Sequence, residues 1–242
     1  MSPDAVATAA GVEALARWLF EERAGPTAGV VHPTACVGRD DGRLLTLEIK
    51  DGAPQSAHDT FALHLQRARA DVIVTTGAIL RNEPGVTYGL EESPFAAGLR
   101  AHRRSRGQTT PPRLVVLSAS GDIARDHPAW THPHAEVWGR VAVDGVSHRA
   151  FDGTAAEAVA TLKSEGLVVV EAGPSVTRPL YAARVIDTLY LSTVETDVAP
   201  SLLGGVALDA GRIPVWMRPA APEPRRVATS DANWFFARHD RR

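Results

Sequence analysis

The 242 residues predict an α/β fold, with a mostly parallel central sheet, flanking helices and antiparallel strands toward the C-terminus. Two observations carry this. Short, nearly all-apolar runs at 71–76, 114–117 and 167–170 each end in small or polar residues, as expected of strands buried on both faces. Helical patterns fall between such runs, and strands that alternate with helices pair in parallel.

In chain order, Val12, Leu15, Ala16, Leu19 and Phe20 recur at helical spacing and stop before Gly25-Pro26, predicting an amphipathic first helix. Residues 1–28 are therefore expected to form a helical appendage, with one domain over 29–242. Residues 30–49 read as strand, turn, strand, because Asp40-Asp41-Gly42 tolerate the backbone angles of a tight turn. Ser56-Ala57-His58-Asp59 resembles a capping box, and Phe61, Leu65 and Ala68 carry one helical face to about Arg69. The segment 91–112 is polar, with Arg100, Arg103, Arg104 and Arg106, and is expected to be a mobile surface excursion. Thr154-Ala155-Ala156-Glu157 is a second capping box, opening a helix to about Lys163. After Asp187 come Leu189, Leu191, Val206, Leu208, Ile213, Val215, Val227 and 234–236, broken by Pro and Gly; all are expected in antiparallel strands that close the sheet.

Hydrophobic residues make up 44% and charged residues 22%, enough apolar surface for a sizeable core. A formal net charge of −2 supplies no field that would draw the chain to nucleic acid or an anionic membrane, so a small-molecule partner is expected. Cys36 is the single cysteine, which excludes an intramolecular disulfide and any zinc site that needs two thiolates. His134-Ala135-Glu136 matches half of the zinc-deaminase signature, but its other half, P-C-x-x-C, cannot exist here; no metal site is expected. With no secretory start and no long apolar run, the expected location is the cytoplasm.

Three stretches, in order, resemble the C-terminal reductase domain of the bifunctional riboflavin deaminase-reductases, a branch of the dihydrofolate-reductase-like fold. Arg39-Asp40-Asp41-Gly42-Arg43-Leu44 is similar to the family's S-L-D-G-R-I turn. Arg69-Ala70-Asp71 leading to Gly77 and Arg81-Asn82-Glu83 resembles R-A-x-D-A-I-x-x-G-x-x-T-x-R-x-E/D. Val168-Val169-Val170-Glu171-Ala172-Gly173-Pro174-Ser175 resembles V-x-V-E-G-G-P-x. Against that pattern, Thr76 and Ala172 replace glycines, Ile79 replaces a cofactor-contacting threonine and Arg39 replaces the serine.

The resemblance implies an NADPH-dependent reductase of a polar heterocyclic molecule, in a homodimer closed through apolar C-terminal strands around Val206, Val215 and Phe235. A degenerate nucleotide-binding or scaffold homologue is the alternative, motivated by Thr76, Ile79 and Ala172. The resemblance makes Glu171 and Asp41 the catalytic candidates and puts Cys36, Arg81 and Glu83 at the substrate. Glu171 also ends an apolar strand, where ligands of open α/β sheets bind. Cofactor is expected across Thr76, Gly77, Ala78 and Ile79, then Ala172, Gly173, Pro174 and Ser175, with Ser118 and Ser120 toward the adenosine ribose. Gly77 and Gly173 each precede a predicted helix, so each is either an anion cradle or merely a turn. Cys36, near the proposed substrate turn, reads as a small buried hydrophobe rather than a nucleophile, since no His and acid can be placed beside it.

Overall fold

The computed structural model describes residues 1–3, 6–48 and 50–242. Ile49, the end of the second expected strand, lies outside them. The described strands are β1 (Gly29–Gly38), β2 (Leu44–Leu47), β3 (Val72–Thr76), β4 (Arg113–Leu117), β5 (Ala135–Gly139), β6 (Ser147–Ala150), β7 (Leu167–Val170), β8 (Thr188–Glu195), β9 (Leu203–Val206), β10 (Met217–Pro219), β11 (Arg225–Ala228) and β12 (Asn233–Arg241). Along the sheet they run β10-β12-β8-β1-β7-β3-β4-β5-β6, with β11 on β12, and β2 joining β1 to β9.

From β8 to β6 every neighbouring pair is parallel, whereas β12, β10 and β11 pair antiparallel. For Leu189 and Leu191 the expectation holds on one side only: β8 pairs antiparallel with β12, Leu191 opposite Ala237, but it is an interior strand that also runs parallel to β1, in register from Val31 opposite Thr188 to Val37 opposite Val194. An alternating apolar pattern records which face is buried but not strand direction, so the parallel neighbour could not be read from it. Leu208, Ile213 and Val215 lie outside the named strands. Val215 is 88% exposed, while Val206 and Phe235 are half-buried.

The six helices are α1 (Ala9–Phe20), α2 (Ala57–Arg69), α3 (Gly77–Asn82), α4 (Ala96–Ser105), α5 (Ala155–Leu162) and α6 (Pro174–Ala182) among the described residues. The two-residue period of the strands divides the core between the sheet's faces. Ile73, Leu167 and Val169 pack with α1, α2 and α4, whereas Val72, Val168 and Val170 pack with α5 and α6. Both expected helix starts form: Ser56 Oγ accepts from the Asp59 amide at α2, and Thr154 with Glu157 closes a full capping box at α5.

α1 lies in the sheet's own hydrophobic core, with Val12, Leu15, Ala16, Leu19 and Phe20 all buried, rather than standing off it. α4 corrects the expected surface excursion. Leu99 is buried in the core, and Arg103 crosses to the carbonyls of Ala68 and Ala70. Its arginines suggested solvent, yet guanidinium groups here satisfy backbone acceptors at the end of α2.

The deepest charges lie where α1, α2, β8 and β12 converge. Glu22 is paired with Arg69, accepts from the Tyr190 hydroxyl at 2.6 Å and meets Arg238 at 3.2 Å. Glu22 and Arg69 side chains are 1% and 2% exposed, so each relies on the other for the charge it has lost water around. Glu22→Ala should lower unfolding free energy by about 3 kcal/mol, because Arg69 would remain buried without its carboxylate. Urea denaturation followed by circular dichroism measures this; a change within about 0.5 kcal/mol, the size of an ordinary surface substitution, would contradict it.

Candidate active site

A strand buried on both faces can present polar groups only where it ends, and here the carboxyl ends of β3, β4, β5 and β7 share one edge. Two clefts open along that edge. The first, about 440 Å³, is walled by the ends of β3, β4 and β5. The second, about 280 Å³, lies between α2, the end of β7 and the strands β1 and β8.

The expected cofactor residues divide between them. Thr76, Gly77, Ala78, Ser118, Ser120 and Ser175 line the first cleft, whereas Ile79, Ala172, Gly173 and Pro174 line the second. The start of α6, residues 173–175, is thus the partition. The expected substrate residues divide as well: Glu171 and Glu83 face the second cleft, and Arg81 faces the first. Asp41 and Cys36 line neither.

Asp41 sits in the β1–β2 turn and is fully open to solvent. It accepts from the Arg43 amide at 3.0 Å and from its guanidinium at 2.7 Å, and these bonds hold its carboxyl below the usual aspartate range. Cys36 is wholly buried on the α5–α6 face, and burial pushes its thiol up to about 12, so it behaves as the small hydrophobe of the alternative reading. A sequence turn can put an aspartate near a site without aiming it there, and the alternation of β1 turned Cys36 into the core.

The glycines separate in the same way. A Cβ on Gly77 would crowd Ser118 Oγ at 2.9 Å and Ile123 at 3.2 Å, so glycine there serves the close approach of α3 to the β4 loop. Thr76 caps α3 by accepting from the Ile79 amide at 3.2 Å, so that amide already has a partner. A Cβ on Gly173 would meet no atom within 4 Å, and its backbone has ordinary extended angles, φ −69° and ψ 172°. Neither packing nor conformation explains glycine at 173. Open space above it fits close approach by a bound molecule, next to the first turn of α6.

Glu171 follows β7 and is held by a residue absent from the expected site. Arg67 on α2 grips it with two hydrogen bonds, Nε to Oε1 at 2.8 Å and Nη2 to Oε2 at 2.6 Å. Arg67 also donates to the Thr87 carbonyl and stacks 4.7 Å from the centre of the Tyr88 ring, whose hydroxyl bonds Thr75 at 2.8 Å. Asp59, in the first turn of α2, lines the same cavity and is bonded by Ser192 of β8. Burial pushes its carboxyl up to about 6, with the Ser192 bond opposing part of that rise. Burial and the nearby Glu171 charge also raise Glu83. The helical period offered the one signal for Arg67 and Asp59: eight residues apart on α2, they lie roughly two turns from each other on one side.

In the first cleft, the indole of Trp138 is covered by Phe151 and by the Arg149 guanidinium, with Arg140 and Asp152 paired at the rim. These residues are separated from the β3 motif by more than fifty positions and carry no motif of their own. Among the described residues, no group of three or more His, Cys, Asp or Glu side chains is placed to hold a metal ion. No described helix is long and apolar enough to cross a membrane.

No protein-family model matches the chain, and no curated protein matches its sequence. Solved structures do match its fold. A pyrimidine reductase-like protein of Corynebacterium diphtheriae is 18% identical with a TM-score of 0.61, over 89% of this chain and 92% of that one. The Thermotoga maritima diaminohydroxyphosphoribosylaminopyrimidine deaminase/5-amino-6-(5-phosphoribosylamino)uracil reductase is 14% identical with a TM-score of 0.58, and the chain spans 57% of its length. The riboflavin biosynthesis reductase Rib7 of Saccharomyces cerevisiae is 15% identical with a TM-score of 0.51, over 93% and 97% of the two chains. The fold is that of the riboflavin-biosynthesis pyrimidine reductases.

Asp59 provides a test of the site's electrostatics. Its folded pKa lies above the ordinary aspartate value, so the ionised group opposes folding above about 6 and ceases to do so as pH falls toward 3.8. Asp59→Asn should therefore stabilise the protein near neutrality by roughly 2 kcal/mol, with the gain shrinking to nothing in acid. Thermal melts of both forms across that range decide it; a gain that persists unchanged in acid would contradict the assignment.

Proposed function

We propose that the chain is an NADPH-dependent reductase of a polar heterocyclic small molecule. The observation that carries this reading is the open space at Gly173, a glycine that the protein's own packing does not require, on the partition between two clefts. A dinucleotide is long enough to need both sides of such a partition.

Ser118, Ser120 and Ser175 would offer hydroxyl donors to the adenosine end, with Trp138 as an apolar wall and Arg81 and Arg140 as positive charge at the rim. Gly173 and the first turn of α6 would receive the pyrophosphate, and Ala172 and Ile79 would face the ring that enters the second cavity. When bound, the nicotinamide supplies a hydride; the protein supplies position and field. Arg67 fixes the Glu171 carboxylate by both oxygens, which suits it to accept hydrogen bonds and orient substrate. Asp59, whose carboxyl is raised to about 6, is the group in the cavity best suited to hold or release a proton near neutrality.

Fluorescence titration of NADPH with the parent and Gly173→Val tests the reading. A valine side chain would fill the space that the ligand needs while touching no protein atom at its Cβ. Binding should weaken at least a hundredfold in Gly173→Val, with melting temperature little changed. Equal binding by both forms would remove the dinucleotide from this loop, and no binding by the parent would favour the degenerate scaffold.

A further inference from the structure

The second cavity carries an unbalanced set of charges. Among its described lining residues the carboxyl groups are Glu48, Asp59, Glu83 and Glu171, and the bases are Lys50 and Arg67. Both bases are already engaged: Arg67 holds Glu171 by two hydrogen bonds, and Lys50 pairs with Glu48. Among the described residues, Asp59 and Glu83 remain as carboxyl groups with no basic side chain in an ion pair with them, one from the first turn of α2 and one from the end of α3.

We infer that this cavity takes a nitrogen-rich ligand that presents N–H donors or a positive charge and carries no phosphate, with Asp59 and Glu83 selecting it. The inference rests on the reading of the cavity as the substrate site, and it gives that substrate a chemical class. A carboxylate is an acceptor of hydrogen bonds and a poor neighbour for another anion, and low solvent access strengthens both effects. Burial raises both carboxyl groups, with the Glu171 charge adding to the rise of Glu83 and the Arg67 charge opposing part of it, and a cationic or N–H-rich ligand would favour their ionised forms. Lys50, exposed and held by Glu48, is the remaining positive charge of the lining that could meet a phosphate, and it is not unpaired. The Thermotoga maritima neighbour is named for a phosphoribosylamino substrate. The charge set here points to a different ligand on the same fold.

Around Asp59 the other groups facing the cavity are Glu48 and Lys50 beyond β2, Arg67 on the same helix, Glu83 beyond α3, Tyr88 and Glu171, and Tyr190 on β8. Tyr88 and Tyr190 are held neutral by burial, and the two ion pairs cancel internally, which leaves Asp59 as the group that titrates near 6.

Three small probes of similar or smaller size, benzamidine, benzoate and inorganic phosphate, test this by calorimetry on the full chain, with NADPH titrated separately on the same preparation. Near neutrality benzamidine should bind at least tenfold more tightly than either anion. Its affinity should fall as pH drops through about 6, because Asp59 is protonated while the probe stays cationic. Asp59→Asn and Glu83→Gln should each weaken benzamidine about tenfold, and Asp59→Asn should flatten the pH dependence. Benzoate or phosphate binding as tightly as benzamidine, or a preference unaltered in both variants, would overturn the inference. Charge selection in a protein that binds no NADPH would support it while sinking the reductase reading.

Discussion

The parallel strands β3 and β7, covered on both faces, leave one kind of place for chemistry beside them, the edge where they end. Val72 to Val74 and Leu167 to Val170 are completely enclosed, so a polar side chain within them would have no water and no partner. Glu171 comes one residue after that enclosure, and its amide still bonds to the Val74 carbonyl as if the strand continued. Its carboxylate is thus anchored by sheet geometry on one side and by Arg67 on the other. The cavity walls inherit their rigidity from the same arrangement, since α2 is held to the sheet by Phe61 and Leu65 and presents Asp59 and Arg67 from one backbone.

Much of this organisation was legible in the chain. β3, β4 and β7 announce themselves as short apolar runs, the 39–43 turn forms with Gly42 at φ +75°, and both capping sequences open helices. What was not legible depends on partners distant in sequence. The direction of β8 is decided by β1, more than 150 residues earlier, and its alternating side chains look the same either way. α4 looked like a solvated loop because arginines count as polar in any pattern, although Arg103 is buried on carbonyl groups of another helix. α1 was readable as a helix, but its packing into the main core depends on elements that no local pattern names.

The site divides along the same line. Glu171, Glu83 and the glycine-bearing loops lie at strand or helix ends, where sequence position alone constrains geometry, and they reach the clefts. Asp41 and Cys36 belong to a hairpin whose side-chain directions follow from its pairing, and they point to solvent and core respectively. The glycines at 77 and 173 were equivalent as letters. Only their surroundings show that Ser118 and Ile123 occupy the space beside one and that nothing occupies the space beside the other. Thr76, which as a letter gave no such signal, is likewise a helix cap.

In the proposed function, one dinucleotide spans both clefts across residues 173–175. Hydrogen–deuterium exchange with and without NADPH addresses it directly, because amides covered by a ligand exchange more slowly. The account predicts protection in three separate segments, around 76–79, 118–121 and 173–177, with β10 to β12 unaffected. Protection confined to one cleft, or appearing on the C-terminal strands instead, would contradict it.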